Sequence, residues 1–117
     1  MFTLKWTPAA AERYEEIRAA AVESLAARKT KSRKKSTKAE GLFKQVKKTL
    51  DLLQSNPKHP GLHTHEYKSL TFEFDHQKRV KVFEAYVQNN TPGAYRVFWC
   101  YGPEAGEITV IAITPHP

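Results

Sequence analysis

The side chains best suited to proton transfer and anion binding lie in the second half of the 117-residue chain. An imidazole exchanges protons near neutral pH, and carboxylate and phenol groups also serve as acids or bases. A guanidinium offers a planar fork of donors that can bind two phosphate oxygens together. The candidates for this chemistry are His63, His65, Glu84, Tyr86, Arg96 and His116.

Arg96 is the strongest candidate for binding an anion. Alternation along a predicted strand over 94–101 puts Arg96 on the opposite face from Trp99. The more aromatic face is expected to pack against helices, so Arg96 is expected to project from the open face. Glu84 and Tyr86 share a face of the preceding predicted strand, next to Arg96 if the two strands pair. A surface salt bridge between Arg96 and Glu84 is the alternative.

The first half of the chain predicts a short strand followed by two helices. Residues 2–6 alternate apolar and polar side chains, as a half-buried strand does. Thr7-Pro8 is a helix start, because the hydroxyl can accept from free backbone N–H groups and proline fits the first helical position. Thr37–Glu40 is a capping box that opens a second amphipathic helix, which ends at 55–57. The two helices are expected to form an antiparallel hairpin.

Residues 28–38 form a basic segment with seven positive charges and no large apolar side chain. Like charges repel one another, so a mobile loop or a frayed helix end is expected. With lysines of the second helix, this segment is a candidate surface for phosphate contacts; a solvated surface without a partner is the alternative. The nucleic-acid-binding candidates here are Arg33, Lys34, Lys35, Lys44, Lys47 and Lys48.

The second half predicts a loop and then a small antiparallel sheet. Prolines and a glycine break regular structure over 57–70, and residues 70–74 permit a short extended stretch. Three strands are predicted over 80–88, 94–101 and 107–114, joined by short turns. The expected fold is therefore α+β, in the order β-α-α-β-β-β, with the helical hairpin on one sheet face and the other face free.

Composition limits the class of protein. Nineteen Lys and Arg against 12 Asp and Glu give a net charge of +7, so a polyanion or an acidic protein is the expected partner. The length fits one domain over 1–117. Cys100 is the single cysteine, which excludes an internal disulfide and favours the cytoplasm. No apolar run approaches the roughly 20 residues that a membrane span needs, so no membrane partner is expected.

Four segments, taken in order, resemble the RelE/ParE toxin superfamily. They are Leu4-Lys-Trp-Thr-Pro8, Pro60-Gly-Leu-His-Thr-His-Glu66, Gly93-Ala-Tyr-Arg-Val-Phe-Trp99 and Ile111-Ala-Ile-Thr-Pro-His116. Together they span nearly the whole chain.

This resemblance implies the toxin of a type II toxin–antitoxin pair. Its expected partners are a cognate acidic antitoxin, messenger RNA and the ribosomal RNA. RelE-like members cut messenger RNA in the ribosomal decoding site without a metal, and no cofactor is expected. ParE-like members instead inhibit DNA gyrase, which is one alternative. A non-catalytic RNA-binding member of the fold is another.

Cleavage of RNA without a metal needs a base for the ribose 2′-hydroxyl, a cation for the phosphorane and an acid for the departing 5′-oxygen. Arg96 matches the family's strand arginine and is expected to supply the cation. His116 stands where some members place a C-terminal histidine that takes part in proton transfer. An inert tail residue is the alternative at this position.

The resemblance fixes the other candidates less closely. His65, with Glu66 or Lys68 as a helper, lies in a loop where family members place catalytic or RNA-contacting groups, and His63 is assigned to RNA contact. Glu84 and Tyr86 stand where the best-known RelE-type enzymes carry lysines, so their mechanism cannot be copied to this chain. A metal site made by the loop histidines and the C-terminal one is disfavoured, because their spacing matches no strong ligand motif.

Overall fold

Helices pack on one face of a sheet that has five strands within the described residues. The computed structural model describes residues 1–30, 35–75, 77, 79–89 and 92–116, with only the backbone for 72–74. The elements in chain order are β1 (Thr3–Trp6), α1 (Pro8–Thr30), α2 (Lys38–Ser55), a 3-10 turn (Pro60–Leu62), β2 (His65–Glu66), α3 (Lys68–Phe74), β3 (Phe83–Tyr86), β4 (Tyr95–Tyr101) and β5 (Glu107–Pro115).

The sheet has the strand order β1-β5-β4-β3-β2. β1 runs parallel to β5, and the other neighbouring strands are antiparallel. The first strand therefore closes one edge of the three-strand meander formed by β3, β4 and β5. The predicted α+β class, with a mainly antiparallel sheet, is confirmed. No helix within the described part of the chain is long and apolar enough to span a membrane.

The helix starts follow the predicted chemistry. The Thr7 hydroxyl accepts from the Ala10 N–H at 3.1 Å and donates to the Ile111 carbonyl at 2.6 Å, so the start of α1 is tied to β5. Thr37 and Glu40 form the predicted capping box at the start of α2. Each cap satisfies backbone donors that a helix end leaves without partners.

Alternation along β4 separates two environments. Val97 and Trp99 lie in the core beneath the helices, whereas Arg96 and Phe98 point to the opposite face, as predicted. That opposite face is not free, because Arg96 and Phe98 are both buried and the ring of Tyr67 stands edge-on to Phe98 at 5.4 Å. The prediction of an uncovered sheet face was therefore wrong.

Residues 70–74 form part of α3, not the extended stretch that their alternation predicts. Thr71 anchors this helix: its hydroxyl donates to Glu66 Oε2 at 3.3 Å and accepts from the Val82 N–H at 2.7 Å. A short apolar run fits a strand or a helix equally well, and here the tertiary hydrogen bonds decide.

Two strand predictions also need correction. The predicted strand over 80–88 is limited to β3. Just before β3, the Val82 N–H donates to the Thr71 hydroxyl and the Val82 carbonyl accepts from the Tyr67 N–H. Residues 65–66 belong to a predicted loop but form β2, which pairs with β3.

The predicted basic loop over 28–38 is shorter than expected, because α1 extends to Thr30 and α2 begins at Lys38. Arg28 is part of α1, and its Nη2 lies 2.8 Å from Oε1 of Glu40. An ion pair thus joins the two helices across the segment where like charges oppose compaction.

Glu40 is the centre of this junction. Its buried carboxylate accepts from Arg28 and, at 3.1 Å, from the Ser24 hydroxyl, while Thr37 belongs to the same capping box. The Arg28 guanidinium outweighs the opposing effect of burial and, with Thr37 and Ser24, lowers the pKa of Glu40 from 4.5 to about 2. The junction therefore depends on an ionised carboxylate.

Replacing Glu40 should make stability less dependent on pH. Because the folded state has the lower pKa, the wild-type carboxylate stabilises the protein fully above about pH 4.5 and loses this effect as the pH falls toward 2. We expect Glu40→Gln to lower the melting temperature by several degrees at pH 7, with the gap closing below pH 4.5. Thermal unfolding from pH 2 to 7 measures this.

Glu15→Gln is the matched control, since Glu15 pairs with Arg18 on the exposed face of α1. A solvent-exposed pair contributes little, so its melting temperature should stay close to that of the wild type at every pH. Equal losses from the two substitutions would contradict the role given to Glu40.

Candidate active site

A buried carboxylate bridged by two histidines lies on the sheet face opposite the helices. Glu84 is 1% exposed; its Oε1 lies 2.9 Å from Nε2 of His65 and its Oε2 lies 2.6 Å from Nδ1 of His116. The two histidine side chains are 49% and 40% exposed, so the cluster extends from the interior to the surface. Within the described residues, no group of three or more His, Cys, Asp or Glu is arranged to hold a metal ion.

The sheet brings these side chains together from three separate segments. His65 lies directly opposite Glu84 in the register of β2 and β3. His116 follows β5, and its N–H donates to the Ala94 carbonyl at 2.8 Å, which fixes the end of the chain beside β4. The ring of Tyr67 stands edge-on to that of His116 at 6.1 Å and limits its orientation.

The hydrogen-bond partners of His65 determine where its protons lie. Nδ1 is 3.0 Å from the carbonyl oxygen of His63, which only accepts, so Nδ1 carries a proton. Nε2 faces the Glu84 carboxylate, which also only accepts when it is ionised. When Glu84 is ionised, both ring nitrogens of His65 thus face acceptors, and neither presents a free lone pair to a substrate.

His116 has the complementary arrangement. Its Nδ1 donates to the ionised Glu84, which leaves a lone pair on Nε2 of the neutral ring. A proton accepted at Nε2 creates an imidazolium that the adjacent carboxylate stabilises, as in other carboxylate–histidine pairs. Glu84 is buried and both of its oxygens face histidines, so its contacts suit a group that orients the two rings. Direct proton exchange between Glu84 and a substrate stays a prediction.

Tyr86 stands beside the cluster on the same face. Its ring centroid lies 5.1 Å from that of His63 and 6.1 Å from that of His65. Cζ of Arg96 lies 3.8 Å from the centroid of Tyr86, within the range of a cation–π interaction. The predicted adjacency of Tyr86 and Arg96 is thus present, and the two residues are direct partners in the β3–β4 register.

Arg96 occupies the predicted face but is only 1% exposed. Its Nη1 donates to the carbonyl oxygens of Gln88 and Tyr95, each at 3.0 Å, and Tyr86 lies against the guanidinium. The expectation that Arg96 presents its fork to a phosphate from an open surface is wrong for this arrangement. The alternative pairing with Glu84 also differs from the structure, where histidines bind both carboxylate oxygens.

Among the basic candidates that the structure describes, Lys68 is the exposed first residue of α3, next to Tyr67. Lys44, Lys47 and Lys48 belong to α2, which packs against the opposite sheet face. Lys44, Lys47 and Lys48 are exposed on α2, Lys35 is exposed just before it, and Arg33 and Lys34 lie outside the described residues.

Two residues of the site were not identified from the sequence. Tyr67 packs against both Phe98 and His116, and Gln88 accepts from Arg96 through its carbonyl and from the Tyr95 N–H through Oε1 at 2.9 Å. The spacing of two between His65 and Tyr67 was an available signal, because it favours the same side of an extended segment.

Arg96→Lys tests the positioning role of the guanidinium. A single ammonium cannot reproduce both the two carbonyl contacts and the planar stack on Tyr86. We expect the free energy of unfolding to fall by about 1.5–3 kcal/mol, the scale of a lost hydrogen bond to a charged group. Urea denaturation measures the change. Arg18→Lys, at an exposed ion pair of α1, is the control and should lose much less.

The tautomer of His116 provides a second test. We expect ¹⁵N-detected NMR of the neutral ring to show the proton on Nδ1, because Glu84 accepts from that atom. In Glu84→Ala the preference for Nδ1 should disappear. A wild-type ring protonated on Nε2 would contradict the orientation described above.

Comparison with known proteins supports the fold. No family model matches the chain, and no curated protein matches it. Among solved structures, the chain is similar to the YoeB dimer from Staphylococcus aureus, with a TM-score of 0.59 and 11% sequence identity; the match covers 99% of this chain and 98% of that chain. At this identity the likeness concerns the fold alone, an arrangement of helices on a mostly antiparallel sheet.

Proposed function

We propose that this chain is the toxin of a type II toxin–antitoxin pair and cleaves messenger RNA at the ribosome without a metal. The observation that carries the proposal is the buried Glu84 carboxylate, which orients two half-exposed histidines. The RelE-like fold and the sequence resemblance to the RelE/ParE superfamily support it. A cytoplasmic location and an acidic antitoxin partner follow from the same proposal, and the net charge of +7 suits both that partner and ribosomal RNA.

The proposed reaction is attack of the ribose 2′-oxygen on the adjacent phosphorus. His116 accepts the 2′-hydroxyl proton at Nε2, and Glu84 stabilises the resulting imidazolium. The bond from phosphorus to the 5′-oxygen then breaks, which leaves a 2′,3′-cyclic phosphate, and the departing oxygen takes a proton. We assign Tyr86 as the donor of that proton, since Arg96 and His63 hold its ring beside His65.

The cation in this scheme is His65, not Arg96. Both ring nitrogens of His65 face acceptors, Glu84 and the His63 carbonyl, and half of its side chain is exposed. A positive charge beside the phosphorane lowers the barrier because negative charge develops there in the transition state. Arg96 acts as a positioning residue. Its guanidinium packs on Tyr86 and donates to the carbonyls of Gln88 and Tyr95, which lie on the two sides of the β3–β4 connection.

His116→Gly should reduce the cleavage rate by about 10²- to 10⁴-fold, the usual contribution of a positioned proton-transfer group. Free imidazole should restore part of the rate, because it can occupy the space of the missing side chain. Toeprinting of messenger RNA on translating ribosomes measures both effects.

Glu12→Gln, on the exposed surface of α1, is the control and should cleave at the wild-type rate. Unchanged cleavage by folded His116→Gly would remove His116 from the mechanism. Wild-type protein that blocks gyrase supercoiling and leaves translated messenger RNA intact would replace the proposal with gyrase inhibition.

A further inference from the structure

A hollow of about 440 Å³ lies at the β2 edge of the sheet, between the loop over 57–64 and three aromatic side chains. Phe83, Trp99 and Tyr101 form its sheet wall. A smaller hollow of about 270 Å³ shares Phe83 and Tyr101 and is completed by residues 79–81. The half-buried Phe83 and the exposed Tyr101 therefore stand between two concave surfaces.

The three aromatic rings form a pre-ordered shelf. Phe83 stacks on Trp99 with centroids 4.9 Å apart, and Tyr101 stands edge-on to Trp99 at 4.9 Å and to Phe83 at 5.9 Å. Tyr101 is 43% exposed, and its ring centroid also lies 6.1 Å from that of Phe2. Trp99 Nε1 is a buried donor without an acceptor among the described residues. Phe83 and Tyr101 thus offer an apolar surface to the hollow, with Trp99 buried behind them.

The charged side chains that line the two hollows are cationic. Lys58 lines the larger hollow, and Lys81 and Arg79, which also pairs with Asp75 at 3.7 Å, line the smaller one. Neither set of described lining residues contains Asp or Glu. Aromatic surface flanked by cations is the combination that binds single-stranded nucleic acid, because bases stack on the rings while phosphates meet the cations.

The larger hollow adjoins the candidate active site. His63 lines the hollow, and its ring also lies 5.1 Å from that of Tyr86 on the site side of the sheet. The backbone of His63 is left-handed, with φ of 50°, where it ends the 3-10 turn. A strand of RNA leaving the active site over the β2 edge would therefore reach the aromatic shelf next.

We infer that the larger hollow is a subsite for one nucleobase of single-stranded RNA. The base stacks on Tyr101, and the neighbouring phosphates contact Lys58 on one side and Arg79 or Lys81 on the other. The inference rests on the proposed function for the identity of the bound strand. The volume of the larger hollow lies within the range of small-ligand pockets and exceeds that of one nucleobase.

Fluorescence anisotropy with a short 2′-O-methyl RNA tests the inference, because this probe has no 2′-hydroxyl and cannot be cleaved. Tyr101→Leu in the full chain should weaken binding about tenfold or more through loss of stacking, while Tyr101→Phe should bind within about twofold of the wild type. Lys58→Gln should weaken binding at low salt and reduce the dependence of the dissociation constant on salt.

A second probe carries one abasic position within the same backbone. Wild-type protein should bind it about tenfold more weakly when the abasic position falls in the hollow. This comparison needs no substitution, so it decides the matter even if Tyr101→Leu does not fold.

The outcomes separate the two proposals. Equal affinity of Tyr101→Leu and wild type, or of the intact and abasic probes, would overturn the subsite and leave cleavage untouched. Binding that depends on Tyr101, from a protein that leaves translated messenger RNA intact, would support the subsite and refute the nuclease. If Tyr101→Leu changes the oligomeric state in size-exclusion chromatography but not RNA affinity, the shelf is an interface between copies and the inference fails.

Discussion

The site depends on a carboxylate that the fold has removed from water. Burying the Glu84 charge costs free energy unless charged or hydrogen-bonded partners compensate it, and the two histidines are those partners. His65 comes from the short edge strand β2, and His116 comes from the segment after β5. Each is held to β3 because it contacts one oxygen of the Glu84 carboxylate. The same contacts order the end of the chain and the sheet edge, which makes the site part of the fold.

The helix layer makes this arrangement possible. Val97 and Trp99 are covered by α1 and α2 through an apolar core, which frees the alternate residues of β4 for polar contacts on the other face. On that face the Arg96 guanidinium contacts the Tyr86 ring and donates to two backbone carbonyls. The guanidinium of an exposed strand arginine would instead contact solvent or a ligand. On this face Glu84 holds two half-exposed imidazoles, whereas the Arg96 guanidinium is buried.

Sequence patterns predicted the local features well and the long-range ones incompletely. Thr37 and Glu40 identified the start of α2, because a capping box depends on residues only three positions apart. The alternation that assigned Arg96 to its face is equally local, yet it says nothing of burial, which depends on Tyr86 from another strand. His65, Glu84 and His116 were each candidates for proton transfer, but their hydrogen bonds span 19 and 32 residues and required the sheet register.

The end of α2 explains why no helix covers Phe83 and Tyr101. The helix ends at Ser55, and the chain then turns through 56–64 instead of continuing across the sheet. The far ends of β3 and β4 are left under a short loop, so Phe83 and Tyr101 remain accessible where a longer helix would bury them. The same loop leads directly into His65. One chain reversal therefore forms a wall of the hollow and places the His65 imidazole against Glu84. Any movement of this loop would alter both surfaces together.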